Sequence, residues 1–156
     1  MVGTRDGASS NFPGGLTSLV GIDIRTGAHD CYERIVIEFA QGDAPTPGIE
    51  PGYWIRYTDT PIALGQTDDQ FVTIRGTAHV LMSVEAWMYD VDEQGRPTGY
   101  AGPIDRFPTN VTTIEEIRLI DNSEGVQVWA VGLDRERDLR VTTLDDPQRL
   151  VIDVGL

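Results

Sequence analysis

The sequence has no lysine, one cysteine and only two histidines among its 156 residues. The lone Cys31 excludes an internal disulfide framework and a thiolate-rich metal site. No apolar run approaches the roughly 18 residues of a membrane span, and the first residues lack the basic and apolar pattern of a signal peptide. We therefore expect this segment not to insert into a membrane.

Charge is abundant, and negative charge predominates. The chain carries 25 acidic residues against 12 basic ones, all of them arginine, for a net charge of -13. Phosphate backbones are bound through basic patches, so the overall field argues against nucleic acid as a partner and against anionic membrane surfaces. The hydrophobic content of 40% is typical of a globular protein, and the length fits one domain.

Short β-rich runs separated by Gly, Pro, Asp and Asn dominate the chain, and helical periodicity is almost absent. We predict strands at residues 17–25, 33–40, 53–58, 71–76, 79–89, 113–120, 126–133, 139–144 and 149–154. This spacing predicts an all-β fold, an antiparallel β-sandwich, with a small β-barrel as the alternative. Residues 1–15, rich in Gly, Ser and Asn, are predicted to form a flexible leader, and residues 16–156 the β-domain. Proline and glycine make 41–51 and 91–108 loops.

Two hexapeptides, RIVIEF near the start of the chain and RLVIDV at its end, follow the same scheme. Alternate residues of a strand share a face, so each has a charged face and an apolar face. If the two strands are antiparallel neighbours in register, Arg34 lies opposite Asp153 and Glu38 opposite Arg149, which predicts two structural ion pairs. The alternative is that these charges only solvate two edge strands.

Two other predicted strands differ in how they alternate. In 79–89 the even residues, from Val80 to Met88, form an apolar face, whereas the odd residues are mixed. In 126–133 both faces are apolar, which predicts a central strand with Trp129 in the core.

Together, several pieces of the sequence resemble the AMIN-like domain of bacterial envelope proteins and lipoproteins. They are, in chain order, residues 27–30 (GAHD), 32–39 (YERIVIEF), 51–53 (PGY), 124–125 (EG), 129–133 (WAVGL) and 147–154 (PQRLVIDV). Cys31 and Glu33 depart from the family's pattern, where a small residue and an aspartate are expected.

The resemblance implies an extracytoplasmic β-sandwich, often tethered by an N-terminal lipid or carried beside other modules. It implies no catalytic residues. For the related AMIN module, which targets cell-wall amidases, the implied ligand is peptidoglycan or another envelope polymer, and its extension to this chain is analogy.

Catalytic patterns are few. His29 and Cys31 are two residues apart, roughly 6 to 7 Å in extended chain, and we expect them not to form a dyad. The segment beginning Asp90-Val91-Asp92 starts like a calcium loop, but Ala101 stands where that loop needs a bidentate glutamate, so we predict an acidic turn and no metal site. Among 25 acids some carboxylate pair always meets the spacing of a glycosidase, so sequence cannot test that alternative.

Aromatic residues in or beside the loops are the candidates for binding, since rings stack on sugars. They are Trp54, Tyr57, Trp87, Tyr89 and Tyr100. We therefore expect a non-enzymatic envelope module, without a cofactor, that recognises a cell-wall glycan or an envelope protein. The alternatives are a scaffold domain that associates through a sheet edge and, less favoured, a hydrolase.

Overall fold

In the computed structural model, which describes residues 5–15, 17–42, 50–67 and 69–156, strands and no helices make up the regular structure. The strands, in chain order, are β1 (Gly7–Ala8), β2 (Leu19–Ala28), β3 (Tyr32–Gln41), β4 (Tyr53–Thr58), β5 (Ile62–Ala63), β6 (Phe71–Val72), β7 (Ala78–Val84), β8 (Tyr89–Val91), β9 (Pro97–Gly99), β10 (Asp105–Arg106), β11 (Ile114–Ser123), β12 (Val126–Leu133), β13 (Leu139–Leu144) and β14 (Arg149–Gly155).

The strands form two large antiparallel sheets. One has the order β1-β4-β7-β12-β11-β10 and the other β13-β14-β3-β2, with two small hairpins, β5-β6 and β8-β9, beside them. Neither large sheet closes on itself within the described residues. The sandwich prediction is therefore confirmed, and the barrel alternative is wrong.

The core lies between the two sheets and follows the alternation of the sequence. In β3 the odd residues from Glu33 to Phe39 are buried and the even ones half-buried, as the RIVIEF pattern predicts. Val80, Met82 and Val84 of β7 meet Ile35 and Ile37 of β3 in one hydrophobic cluster. Each buried aliphatic side chain of this kind contributes about 1.5–3 kcal/mol.

A smaller cluster lies on the outer face of the six-stranded sheet. Ala130 and Ile120, from β12 and β11, pack there against Ile62 and Ile74, which come from the segment that carries β5 and β6. β12 is a central strand, paired with β7 and β11 and covered on both faces, and Trp129 is 1% exposed, as predicted.

Two predicted strands are too long. β7 ends at Val84 and not at Tyr89, although Ala86 and Met88 remain buried. Beyond Val84 the chain crosses toward the other sheet, where Trp87 forms a bridge with Val20. In the predicted strand 71–76 only Phe71–Val72 pairs.

The predicted loops have different outcomes. The segment 91–108 contains β9 and β10, whereas most of the predicted loop 41–51, residues 43–49, lies outside the described residues. Residues of the segment that we expected to be a flexible leader contact the domain: β1 pairs with β4, and the amides of Gly14 and Gly15 donate to the carboxylate of Glu85.

Glu33 joins the two sheets from a buried position. Its carboxylate accepts hydrogen bonds from the amides of Thr112, Thr113 and Ile114 at 2.6 to 3.1 Å, and from the hydroxyl of Thr112. Buried carboxylates are tolerated when their lone pairs are satisfied in this way. Glu33 thus anchors the start of β11 to β3.

Candidate functional site

Four exposed apolar residues lie at or next to Trp87, where it bridges Val20 of β2 and leads into β8. We call them the Trp87 surface, and they are Ile22, Trp87, Tyr89 and Val91, which are 37%, 39%, 51% and 50% exposed. Ile22 is exposed because the β2-β3 register shifts between Gly21 and Asp23, which leaves Ile22 as a bulge residue. Tyr89 and Val91 share one face of β8 because they are two residues apart.

Trp87 is held firmly although its ring is partly exposed. Its amide donates to the carbonyl of Leu19 at 2.8 Å, and its carbonyl accepts from the amide of Gly21 at 2.7 Å. Its indole Nε1 donates to the carbonyl of Thr17 at 2.9 Å. Because the polar group of the indole is already satisfied, the exposed part of the ring is an apolar platform with a fixed orientation.

The buried Gln127 connects this platform to the core. Its Nε2 donates to the carbonyl of Trp87 at 2.7 Å, and its Oε1 accepts from the indole nitrogen of Trp129 at 3.1 Å. Gly21 lies against it, where a Cβ would come within 2.7 Å of Nε2. Sequence analysis did not single out Gln127, and the available signal was a lone amide in an otherwise apolar strand.

The other predicted binding aromatics have different environments. Trp54 is half-buried in β4, with the guanidinium of Arg56 4.5 Å from its ring centroid. Tyr57 packs against the core, where its hydroxyl donates to the carbonyl of Arg137 and accepts from the Arg137 amide, and burial raises its pKa. Tyr100 is 6% exposed.

The hydroxyl of Tyr100 donates to the carbonyl of Pro103, and its ring meets Trp129 edge-on at 5.7 Å. Of the five candidates, only Trp87 and Tyr89 are exposed, and they lie two residues apart in the chain.

The four charged candidates lie on the outer face of the four-stranded sheet. Arg34 is opposite Asp153 and binds it, whereas Arg149 is opposite Glu38. The guanidinium of Arg149 donates to the backbone carbonyls of Pro147 and Asp145. Glu38 is bound by Arg25 at 2.9 Å.

The residues considered for catalysis have other contacts. The ring of His29 stacks on Tyr32 at 4.5 Å, while the exposed Cys31 lines a groove with Arg5 and Arg137. In the part of the chain that the structure describes, no three His, Cys, Asp or Glu side chains are grouped to hold a metal ion. That part also contains no helix that could cross a membrane.

One carboxyl pair is unusual. Burial, together with the neighbouring Asp105, raises the pKa of Glu116 above its ordinary value. Glu116 is 3% exposed and accepts a hydrogen bond from the amide of Arg75 at 2.7 Å. This carboxyl is therefore enclosed beneath the 73–77 loop.

Comparison with known proteins gives one match. The family model described as "AMIN-like domain" matches residues 19–155, nearly the whole chain. No curated protein and no solved structure matches.

Proposed function

Since the chain belongs to the AMIN-like domain family, an association with the bacterial cell envelope is indicated, and we propose that it is a non-enzymatic module that holds a cell-wall glycan on the Trp87 surface. Family membership supports the envelope setting. The choice of the Trp87 surface comes from geometry.

The observation that carries the proposal is the combination of exposure and fixation at Trp87. Its backbone and indole nitrogen are all hydrogen-bonded, yet 39% of the residue is open to solvent. A ring that is already ordered loses little conformational entropy when a ligand stacks on it. Exposed apolar patches of this kind are typical of binding sites.

The negative net charge of the chain favours a contact with the uncharged, apolar faces of a glycan. A net charge of -13 repels polyanionic polymers, whereas the apolar faces of sugar rings stack on aromatic side chains without any charge requirement. Asp90 lies between Tyr89 and Val91 and is half-buried. Its side chain is on the opposite face of β8 from Tyr89 and Val91, and its Oδ1 accepts a hydrogen bond from the amide of Val91 at 2.8 Å, so the Trp87 surface itself is apolar.

Sedimentation with purified, protein-free cell walls tests this proposal. We expect the wild-type chain to bind at both low and high salt, and the variants Trp87→Ala and Tyr89→Ala to bind at least tenfold more weakly, which corresponds to a loss of at least about 1.4 kcal/mol per ring. Phe71→Ala is the matched control, because Phe71 is 56% exposed but lies in β6.

Trp87→Phe serves as the folding control, since it keeps a ring while removing the indole donor. Wild-type protein that stays in the supernatant at both salt concentrations contradicts the proposal. So does a Trp87→Ala variant that melts normally and binds as well as wild type.

An envelope protein is a second candidate for the same surface, because Ile22 and Val91 add exposed aliphatic area to the two rings. Competition distinguishes the two. Soluble glycan fragments released from the wall should displace the chain from walls if the ligand is the glycan, and should have no effect if a wall-associated protein is bound.

The proposal includes an extracytoplasmic location and a lipid tether on the natural precursor, both implied by the family. Accessibility of the natural protein to protease in intact spheroplasts tests the location. Partition of the natural protein into the detergent phase of a cloud-point extraction tests the tether.

A further inference from the structure

Sheet edges are the places where a β-domain can accept a strand from another chain, and proteins usually block them. The six-stranded sheet ends in β1 and β10, each only two residues long. Beside β1, the hydroxyl of Ser9 accepts from the amide of Tyr53, and the carboxylate of Asp6 accepts from the amide of Tyr57. Both edges of this sheet are therefore short or covered.

One edge of the four-stranded sheet, β2, is also blocked. The backbone of Trp87 forms hydrogen bonds with the carbonyl of Leu19 and the amide of Gly21. The side-chain amide of Asn110 donates to the carbonyl of Thr26 at 2.6 Å. The bulge at Ile22 interrupts the remaining stretch, and a bulge makes an edge a poor template for pairing.

The opposite edge, β13, has none of these protections. Its six residues, Leu139–Leu144, pair with β14 without a register shift and contain no proline. Within the described residues, no other segment hydrogen-bonds to the side of β13 that faces away from β14. β13 is therefore the one long, regular and uncovered edge in the part of the chain that the structure describes.

We propose that β13 is a self-association edge, on which a second copy of this chain pairs its own β13 antiparallel about a twofold axis through Thr142. This arrangement joins two four-stranded sheets into one sheet of eight strands. Residues 140, 142 and 144 lie on the outer face, because they are opposite Asp153, Val151 and Arg149.

A twofold axis perpendicular to the sheet keeps the faces aligned. Thr142 then meets Thr142 of the second copy, and Arg140 meets Leu144. On the inner face Val141 meets Thr143. β13 is self-complementary about this axis, because threonine pairs and β-branched pairs are favourable across strands and no like charges are directly opposed within Leu139–Leu144. Leu144, 42% exposed in one copy, would cover the aliphatic part of Arg140.

Charge supports a second copy as the occupant. Arg140 is exposed and, within the described residues, its guanidinium has no hydrogen bond or ion pair. Asp145 and Asp146 directly follow Leu144, and their carboxylates are exposed and likewise unpaired among those residues. In the antiparallel pairing, Asp145 and Asp146 of each copy lie near Arg140 of the other copy.

Sedimentation velocity over a range of concentrations tests this inference at about 0.15 M salt, where the Debye length of about 8 Å screens the net charge. We expect a reversible monomer–dimer equilibrium. Thr142→Arg places like charges across the axis, and Arg140→Glu places an acid next to the Asp145–Asp146 turn of the other copy, so each should raise the dimer dissociation constant at least tenfold. Arg135→Glu is the control, because it makes the same charge change at an exposed loop residue.

A charge exchange makes the test independent of folding defects. Arg140→Glu and Asp145→Arg should each weaken the homodimer, whereas a mixture of the two variants should form a heterodimer, since both contacts across the axis are then attractive. Wild-type chain that stays monomeric up to about millimolar concentration overturns the inference. So does a dimer that Thr142→Arg leaves unchanged, or one that Arg135→Glu weakens equally. Wall binding is measured separately, so either proposal can fail without the other.

Discussion

Arg34 of β3 holds both carboxylate oxygens of Asp153 of β14, with Nε 2.6 Å from Oδ1 and Nη2 3.0 Å from Oδ2. The side chain of Asp153 is only 8% exposed, although it lies on the outer face of its sheet. The guanidinium also lies 5.0 Å from the ring centroid of Tyr32. Bidentate geometry and partial burial distinguish this ion pair from those at the surface.

We expect the Arg34–Asp153 pair to stabilise the join between β3 and β14. Asp153→Ala should lower the free energy of unfolding by about 2 kcal/mol, since hydrogen bonds to charged groups contribute about 1.5–3 kcal/mol. Asp23→Ala is the control, because Asp23 forms a surface pair with Arg25 and such pairs contribute about 0–1 kcal/mol. Urea denaturation measures both. Equal losses in the two variants would show that the bidentate pair has no special role.

We expect Gln127 to hold the Trp87 platform in place. Gln127→Met fills a similar volume but leaves the indole nitrogen of Trp129 without its acceptor, so unfolding should become easier by about 1–3 kcal/mol. The same change should weaken wall binding, because Trp87 loses one of the groups that fix it. Exchange of the Trp129 indole proton, followed by NMR, should be faster than in wild type.

The control for this prediction is Gln94→Met, an exposed glutamine in the turn between β8 and β9. It should change neither the exchange rate nor stability. If Gln127→Met keeps the indole proton protected and the chain fully stable, the hydrogen bond from Trp129 has no structural importance.

We expect Glu116 to make stability depend on pH. Its pKa is raised in the folded state above the ordinary value of 4.5, chiefly by burial and further by Asp105. The folded protein therefore binds this proton more tightly than the unfolded chain. Its contribution to stability is complete below about pH 4.5 and is lost as the pH rises through the folded pKa.

Glu116→Gln removes this dependence, since an amide does not titrate. Relative to wild type, the variant should gain stability as the pH rises from about 4.5 to 8, because the wild type must then hold a buried charge near Asp105. Thermal unfolding across this range, with the neighbouring Glu115→Gln as control, measures the effect. A difference between wild type and Glu116→Gln that stays constant with pH would contradict it.

The sequence predicted the layers of the fold well, because burial in a strand depends on local alternation. Ile35 and Ile37 are buried where the RIVIEF pattern places them, and Trp129 is in the core. The same rule misjudged residues 85–88. Ala86 and Met88 continue the buried parity of β7, so nothing in the local pattern shows that Trp87 has left the ladder to bridge Val20.

The sequence identified the aromatic residues that could form the candidate site, but not which of them are exposed. Trp87, Tyr89 and Tyr100 all lie in or beside the irregular segment 91–108, yet Tyr100 is buried against Trp129 while Trp87 and Tyr89 are exposed. Which ring faces solvent depends on the path of the chain around it. Gln127, which supports Trp87 from a residue 40 positions away in sequence, has no local signal of that role.

By itself, the sequence determined that this chain forms two apolar-faced layers of antiparallel strands with a strongly acidic exterior, because both properties follow from residue type and a repeat of two. Only the tertiary structure decided which polar groups meet. Glu33 reaches amides 79 to 81 residues away, Gln127 links Trp129 to Trp87, and β13 remains the uncovered edge. Such contacts depend on where distant segments come together, and alternation carries no information about that.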